Sequence, residues 1–242
     1  MPLIKLDAID STNDYLKQLS KESDLENYTV VMANEQTKGK GQMGSKWISE
    51  KGKNLTMSVL VTDFPINTKN IFDLNIATAL SVIRVLKNSN VSNVSIKWPN
   101  DIMADSKKVA GILIENSFKS TGSFIAVVGI GLNLNQTNFD LLPQATSLKK
   151  VTGKIYDLEE IANQLRNSLE VHLQRLRNNA DALWEEYHQN IFRINYPSAF
   201  EDSEGQRFMG IIQGVTRDGK LELLLEDDSF ECFEVKKVKL LY

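Results

Sequence analysis

A single proline constrains how one polar segment of this chain folds. Pro99 lies within Lys97-Trp98-Pro99-Asn100-Asp101, directly after the apolar residues of a short strand-like segment. Proline has no N–H for a sheet ladder and restricts the residue before it, so the strand should end there. After a polar turn at residues 104–106, the run from Val109 to Ile114 is again apolar and β-branched. The segment therefore predicts a β-hairpin.

This hairpin would bring charged and amide side chains together. It places Lys97, Asn100, Asp101 and Lys108 near one opening. Ammonium, amide and carboxylate groups suit a phosphate and a metal ion better than they suit a core. Turn lysines usually lie on a solvated tip, but Trp98, one of three tryptophans, is an unusual neighbour for an exposed loop. We therefore favour a functional interpretation.

A glycine-punctuated segment lies upstream, between two strand-like runs. Gly39, Gly41 and Gly44 give the pattern G-x-G-x-x-G, after a predicted strand at residues 28–33 and before another at 54–62. A dinucleotide-binding fold needs a helix to open at these glycines, and no helical period follows them. The sequence therefore predicts a loop between two strands. Its N–H groups and lysines suit an anion, and a plain flexible hairpin loop explains it equally well.

Two weaker motifs combine small and polar residues. Ser11-Thr12-Asn13-Asp14 precedes apolar residues at helical spacing, and Gly129-Ile130-Gly131-Leu132-Asn133 follows an apolar run. Helix capping explains the first motif and turn chemistry explains the second. Both also offer hydroxyls or amides to a neutral polar ligand.

Apolar periodicity predicts the remaining elements. Three amphipathic helices are indicated, by Phe72 to Ile83, by Leu158 to Leu173 with Asp157 and Glu160 at its cap, and by Leu183 to Tyr187. After residues 195–197, strand-like runs at 208–215, 221–225 and 230–241 surround tight turns. Short strands at that spacing predict a small barrel.

In order and spacing, the four motifs together resemble the biotin protein ligases. The run from Lys97 to Asp101 is the most specific of them. Thr146-Ser147-Leu148, the segment 184–190 and the terminal β region are similar as well, so the resemblance covers nearly the whole chain. It implies an α+β fold in which a mixed β-sheet flanked by helices, related to class II aminoacyl-tRNA synthetases, forms a catalytic domain at residues 1–192. An SH3-like β-barrel would follow at residues 193–242.

The resemblance also implies an activity. Biotin would attack the α-phosphorus of ATP to give biotinyl-5′-AMP and pyrophosphate. A lysine on the biotin carboxyl carrier domain of a carboxylase, such as acetyl-CoA carboxylase, would then take the acyl group. Such chemistry needs no covalent enzyme nucleophile. It needs two anions held together and a leaving pyrophosphate neutralised by lysines, N–H groups and Mg²⁺.

Site residues follow from the resemblance, motif by motif. It assigns biotin to Ser11, Thr12, Asn13, Gln36, Lys40, Gly41, Gln42, Lys108 and Gly111, with Lys108, Lys40 and Gln42 catalytic. It assigns ATP and the adenylate to Lys46, Trp47, Lys97, Asn100, Asp101 and Asn133, with Asp101 as the metal ligand.

The glycine loop departs from the family pattern, which is often arginine-rich. Gln42, Met43 and Ser45 occupy the corresponding positions here. An amide binds a phosphate oxygen without contributing a full charge, so neutralisation falls on the lysines and the metal. Our hypothesis is that the adenylate is held less firmly.

Two alternatives remain open at this stage. A lipoate or octanoyl ligase on a related scaffold is the enzymatic one, because fold alone does not separate acyl substrates. A non-catalytic biotin-binding sensor is the other, and the presence of Lys108 and Gln36 speaks against it.

Composition limits the partners. A net charge of −3 with interspersed signs gives no broad basic face for nucleic acid, and the first motif begins at Asp10, so we expect no DNA-binding domain. The single cysteine, Cys232, indicates a reducing compartment, and two distant histidines make structural zinc improbable. With no signal or membrane-length segment, we expect a cytoplasmic protein without membrane contact. A homodimer paired through a sheet edge stays open.

Overall fold

A seven-stranded mixed sheet organises most of the molecule. The computed structural model describes residues 2–62, 71–118 and 124–242. The strands of this sheet are β1 (Leu3–Ile9), β2 (Val30–Gln36), β3 (Leu55–Val61), β4 (Val94–Lys97), β5 (Asp101–Ala104), β6 (Lys107–Phe118) and β7 (Phe124–Leu132). Their order is β1-β2-β3-β7-β6-β5-β4, and only β1 and β2 run parallel. The predicted mixed sheet is confirmed.

The predicted hairpin around Pro99 lies at one end of this sheet. Strand β4 ends at Lys97, and the chain passes through a cis Trp98–Pro99 bond into β5. Lys97 pairs with Asp101 across β4 and β5, while Met103 pairs with Lys108 across β5 and β6. Antiparallel pairing therefore gathers residues from three strands at one mouth.

Helices cover both faces of the sheet. They are α1 (Thr12–Glu22), α2 (Ile71–Asn88), α3 (Leu148–Thr152), α4 (Leu158–Asn178) and α5 (Ala180–Gln189). Helix α1 packs one face through Leu16 against Val31 and Leu60, whereas α2, α4 and α5 belong to the main core on the other face. All seven residues of β3 are buried as a result, including the hydroxyl side chains of Thr56 and Ser58. The three predicted amphipathic helices are confirmed.

A second sheet occupies the C-terminal part. Its strands are β8 (Pro197–Asp202), β9 (Arg207–Val215), β10 (Leu221–Leu225), β11 (Phe230–Phe233) and β12 (Val238–Leu241), all antiparallel in the order β11-β10-β9-β8-β12. The run predicted as one strand at 230–241 is split, because a turn at residues 234–237 separates β11 from β12. These two strands then lie at opposite edges of the sheet. Hydrogen bonding between the described strands therefore does not close the predicted barrel.

The two sheets are joined through a turn of the second one. The Trp98 indole N–H donates to the Gly219 carbonyl over 2.9 Å, between β9 and β10. A Cβ at Gly219 would lie 2.6 Å from the Phe72 ring of α2, so the turn fits only as glycine. This contact places the C-terminal sheet beside the mouth of the hairpin.

None of the helices in the described ranges combines the length and the apolar character that crossing a bilayer demands.

Candidate active site

A cavity of about 630 Å³ opens where the hairpin, the glycine loop and the C-terminal sheet meet. Small-molecule sites typically occupy about 300–1,000 Å³. Fourteen of the fifteen predicted site residues line it: Ser11, Thr12, Asn13, Gln36, Lys40, Gly41, Gln42, Lys46, Trp47, Lys97, Asn100, Asp101, Lys108 and Gly111. Lys40 of the glycine loop and Lys108 of β6 therefore face one space.

One end of the cavity is a neutral hydrogen-bonding network. Ser11 caps α1, accepting from the Asp14 N–H over 3.4 Å. Gln36 Oε1 accepts from both the backbone N–H and the hydroxyl of Thr12, at 2.8 Å and 3.0 Å. Since these donors occupy the amide oxygen, the Nε2 group of Gln36 remains for a ligand that accepts hydrogen bonds. The predicted capping of α1 is confirmed.

Behind this network lies Ser58, which sequence analysis missed. Its Oγ is fully buried and lies 2.6 Å from Asn13 Oδ1 and 2.8 Å from Thr12 Oγ1. Asn13 in turn donates to Glu115 Oε2 over 2.9 Å. Because an amide oxygen only accepts, the short contact assigns the Ser58 proton to Asn13. Ser58 thereby fixes the orientation of Asn13 from beneath.

The glycine loop folds back on itself over the cavity. The Trp47 N–H donates to the Gly39 carbonyl over 3.0 Å, and the Gly41 N–H donates to the Ser45 carbonyl over 2.7 Å. Between them a 3₁₀ turn spans Gln42–Gly44, with Met43 at a positive φ of 52°. No regular helix opens at these glycines, so rejection of the dinucleotide-binding fold is confirmed.

Lysine 40 leaves this loop toward helix α1. Its Nζ lies 2.6 Å from the Asp14 carboxylate, which raises the pKa of Lys40. Both side chains are about half exposed, so the pair contributes little to stability. The ammonium can therefore exchange Asp14 for an anionic ligand at small cost.

The Trp47 indole lies flat against two glycines of the sheet. A Cβ on Gly131 would lie 2.4 Å from the ring, and one on Gly111 would lie 3.2 Å from it. The indole Nε1 is buried and has no hydrogen-bond partner among the described residues. Gly131 is therefore needed for the close approach of the ring, and Gly111 leaves it room on the neighbouring strand.

The hairpin supplies the charged end of the cavity. Lys108 Nζ lies 2.6 Å from Asp101 Oδ1 and 5.7 Å from the centroid of the Trp47 ring. Asn100 donates through Nδ2 to the Ile112 carbonyl over 2.7 Å, which fixes its amide plane. Burial lowers the pKa of Lys97; the Asp101 carboxylate opposes this shift, and Lys108 and Lys239 add to it. These side chains therefore share one electrostatic environment.

Asn133, the fifteenth predicted residue, lies outside the cavity lining. Its side chain is buried and donates to the Thr146 carbonyl over 3.0 Å, while its backbone N–H donates to Val109. The end of β7 turns here into the loop that carries Thr146. Asn133 therefore supports the strand ends around the site without facing the cavity.

Six lysines line the cavity, against Asp101 as the one acidic residue among the described lining residues. The chain as a whole carries a net charge of −3, so positive charge is concentrated here. Two of these lysines, Lys236 and Lys239, come from the C-terminal sheet and were not predicted. No local motif marks them, because tertiary packing brings them to the site.

The described residues hold no group of three His, Cys, Asp or Glu side chains that would form a metal cage. Mg²⁺ usually binds one or two carboxylates together with substrate phosphates and water. A single carboxylate at Asp101, within a lysine-lined cavity, fits an ion of that kind. It does not fit a resident all-protein metal site.

Fold and site define an α+β protein whose cavity has the size for a small ligand, with a neutral polar end and a lysine-rich end. Residues 6–135 match the model of the Biotin/lipoate A/B protein ligase family. A biotin–[acetyl-CoA-carboxylase] ligase from Mycobacterium tuberculosis is 30% identical over 215 residues, covering 87% of this chain and 79% of that protein. The chain belongs to this ligase family.

Similar proteins include longer chains. The bifunctional ligase/repressor BirA of Bacillus spizizenii is 32% identical over 160 residues, covering 64% of this chain and 48% of that protein. This chain thus matches about half the length of that relative. A biotin protein ligase from Aquifex aeolicus, solved in complex with biotin and ATP, superposes with a TM-score of 0.80 at 26% identity, covering 99% and 98% of the two chains.

Proposed function

We propose that this protein is an ATP-dependent ligase that activates biotin as biotinyl-5′-AMP and transfers it to a lysine of a biotin carboxyl carrier domain. The observation that carries the proposal is one cavity with two chemically distinct ends. The Thr12–Gln36 network is neutral and offers donors and acceptors. The opposite end is rich in lysines.

The neutral end suits the ureido ring of biotin. That ring carries two N–H donors and one carbonyl acceptor and has no charge. Gln36 Nε2 can donate to the carbonyl, and the hydroxyls of Ser11 and Thr12 can accept from the N–H groups. A site discriminates most strongly between ligands when the wrong ligand leaves a buried polar group of the site without a hydrogen bond. The dithiolane ring of lipoate and the alkyl chain of octanoate would therefore bind poorly here.

The charged end suits two anions that must approach each other. Lys108 would neutralise the biotin carboxylate and the α-phosphate, with Lys40 and Gln42 on the loop side; all three line the cavity. The carboxylate oxygen then attacks the α-phosphorus, and pyrophosphate leaves. Lys46, Trp47, Lys97 and Asn100 would hold the nucleotide. Positioning and charge neutralisation supply the catalysis, and no protein nucleophile is needed.

Asp101 would hold the Mg²⁺ that accompanies ATP, and that ion would neutralise phosphate charge when bound. The second step attaches the acyl group to a carrier-domain lysine, and AMP leaves. Asn133 supports the strand ends behind the nucleotide subsite, which is the more limited role that its contacts favour.

We also propose a catalytic domain at residues 1–192 and an SH3-like domain at residues 193–242. Support comes from the separate five-stranded antiparallel sheet and its stacked ring pairs, Phe200 with Phe208 and Phe208 with Phe233. The cavity takes one wall from each part.

The experiment that tests the function is ATP–pyrophosphate exchange with biotin, lipoate or octanoate, followed by acyl transfer to a carrier domain. We expect ATP–pyrophosphate exchange with biotin but not with lipoate or octanoate. The carrier-domain lysine should then become biotinylated. Exchange with lipoate or octanoate in its place would identify the other ligase. Biotin binding without AMP release would identify a sensor and contradict the proposal.

A further inference from the structure

The glycine loop and the C-terminal sheet face each other across the mouth of the cavity. Lys236 Nζ donates to the Met43 carbonyl, at the tip of the loop, over 2.6 Å. Val235, Lys236, Val238, Lys239 and Leu240 all belong to the cavity wall. The two segments are 193 positions apart in the chain. Tertiary packing therefore brings this part of the cavity wall against the uncharged loop residues Gln42, Met43 and Ser45.

Among the described residues, no carboxylate lies within 4 Å of the Lys236 or Lys239 ammonium. An ammonium carries three donors, so the bond from Lys236 to Met43 leaves two for a ligand. The charge on Lys239 also acts on Lys97, which places it beside the hairpin cluster.

We propose that Lys236 and Lys239 form the binding site for the pyrophosphate portion of the nucleotide, both within ATP and as the leaving group. This inference rests on the proposed function. It extends that function by assigning the β- and γ-phosphates to the C-terminal sheet. The lysines supply positive charge opposite Gln42, Met43 and Ser45, where the loop has none.

Charge balance supports the assignment. Pyrophosphate and the triphosphate chain each carry several negative charges, and Lys40 and Lys108 already face Asp14 and Asp101. Lys236 and Lys239, which have no acidic partner within 4 Å among the described residues, are available for additional phosphate oxygens. Each charge-assisted bond contributes about tenfold in affinity or more.

The first test is direct binding of inorganic pyrophosphate, measured by calorimetry without biotin. We expect about tenfold weaker binding for Lys236→Ala and for Lys239→Ala, and about 100-fold for the double variant. Lys237→Ala is the matched control, because Lys237 lies between them, is exposed and is not part of the cavity lining. Unchanged binding by the double variant would overturn the proposal, as would no pyrophosphate binding by the wild type.

The second test separates the two half-reactions. Formation of biotinyl-5′-AMP from ATP should fall in the double variant with a raised KM for ATP. Transfer from preformed biotinyl-5′-AMP should be unchanged, because the adenylate lacks the β- and γ-phosphates. Equal losses in both half-reactions would assign the lysines a structural role instead.

These readouts also separate this inference from the proposed function. A wild type that binds pyrophosphate through these lysines but forms no adenylate would overturn the function and leave the anion site standing. If the wild type and the double variant form adenylate at the same rate and with the same KM for ATP, the anion site is overturned and the proposed function stands.

Discussion

Lys108→Ala removes a cation of the cavity lining that pairs with Asp101. Its Nζ lies 2.6 Å from Asp101, and its side chain is 34% exposed. Two unit charges 4 Å apart interact by about 4 kcal/mol at an effective dielectric constant of about 20. Partial exposure makes this figure an upper bound. We therefore expect the kcat/KM of adenylate formation to fall about 100-fold, which corresponds to about 2.7 kcal/mol.

Stability should change far less than activity. A partly exposed ion pair contributes about 1 kcal/mol at most, which for a chain of this size shifts Tm by about 2–4 °C. ATP–pyrophosphate exchange measures the first effect, and thermal unfolding followed by circular dichroism measures the second. Biotin binding without ATP provides a third readout, because the proposed site also assigns Lys108 to the biotin carboxylate.

Lys107→Ala is the matched control for this variant. Lys107 lies one residue away on β6, is exposed and is not part of the cavity lining. Its exchange activity should match that of the wild type. If both alanine variants lose activity equally, or if Lys108→Ala retains full exchange with an intact fold, the role assigned to Lys108 is wrong.

Three further outcomes are expected. Gly131→Ala places a methyl group 2.4 Å from the Trp47 ring, so the indole must move and its fluorescence maximum should shift, with weaker adenylate binding; an unchanged spectrum would contradict the packing. Gln42→Arg adds a full charge to the loop and should slow release of biotinyl-5′-AMP about tenfold in a release assay; unaltered leakage would count against our hypothesis on the loop. Burial lowers the pKa of His172 from its ordinary 6.5, so the unfolded chain binds a proton before the folded one does and stability falls as pH drops below about 6.5. Urea midpoints at pH 7.5 and 5.5, compared with those of His172→Asn, should show a smaller decrease for the variant.

Sequence periodicity predicted the local elements well. Pro99 ended β4, the turn at residues 104–106 gave the hairpin, and the glycine pattern without a following helix correctly excluded a dinucleotide fold. Strands β1, β5 and β8 and the short helix α3 were not predicted. The run at 230–241 is split by the turn at residues 234–237. Because this turn contains no glycine or proline, the sequence indicated one continuous segment.

Individual site residues show where local patterns stop being informative. Trp98 was interpreted as functional because a tryptophan is unusual in an exposed loop, but its ring is buried and binds Gly219, so packing explains much of its presence. Ser58 and Lys239 carry no motif at all. Packing of α1 on β3 brings Ser58 beneath Asn13, and contact between the two sheets brings Lys239 to the cavity. A single sequence does not encode either of these locally.

The contact between Trp98 and Gly219 bears on how this molecule can be divided. A fragment trimmed to its first 192 residues would leave an indole N–H and an aromatic ring of α2 facing water, and it would lose an entire wall of the ligand chamber. The second sheet therefore belongs to any minimal working unit, and shortening the protein from that side would dismantle the chamber itself.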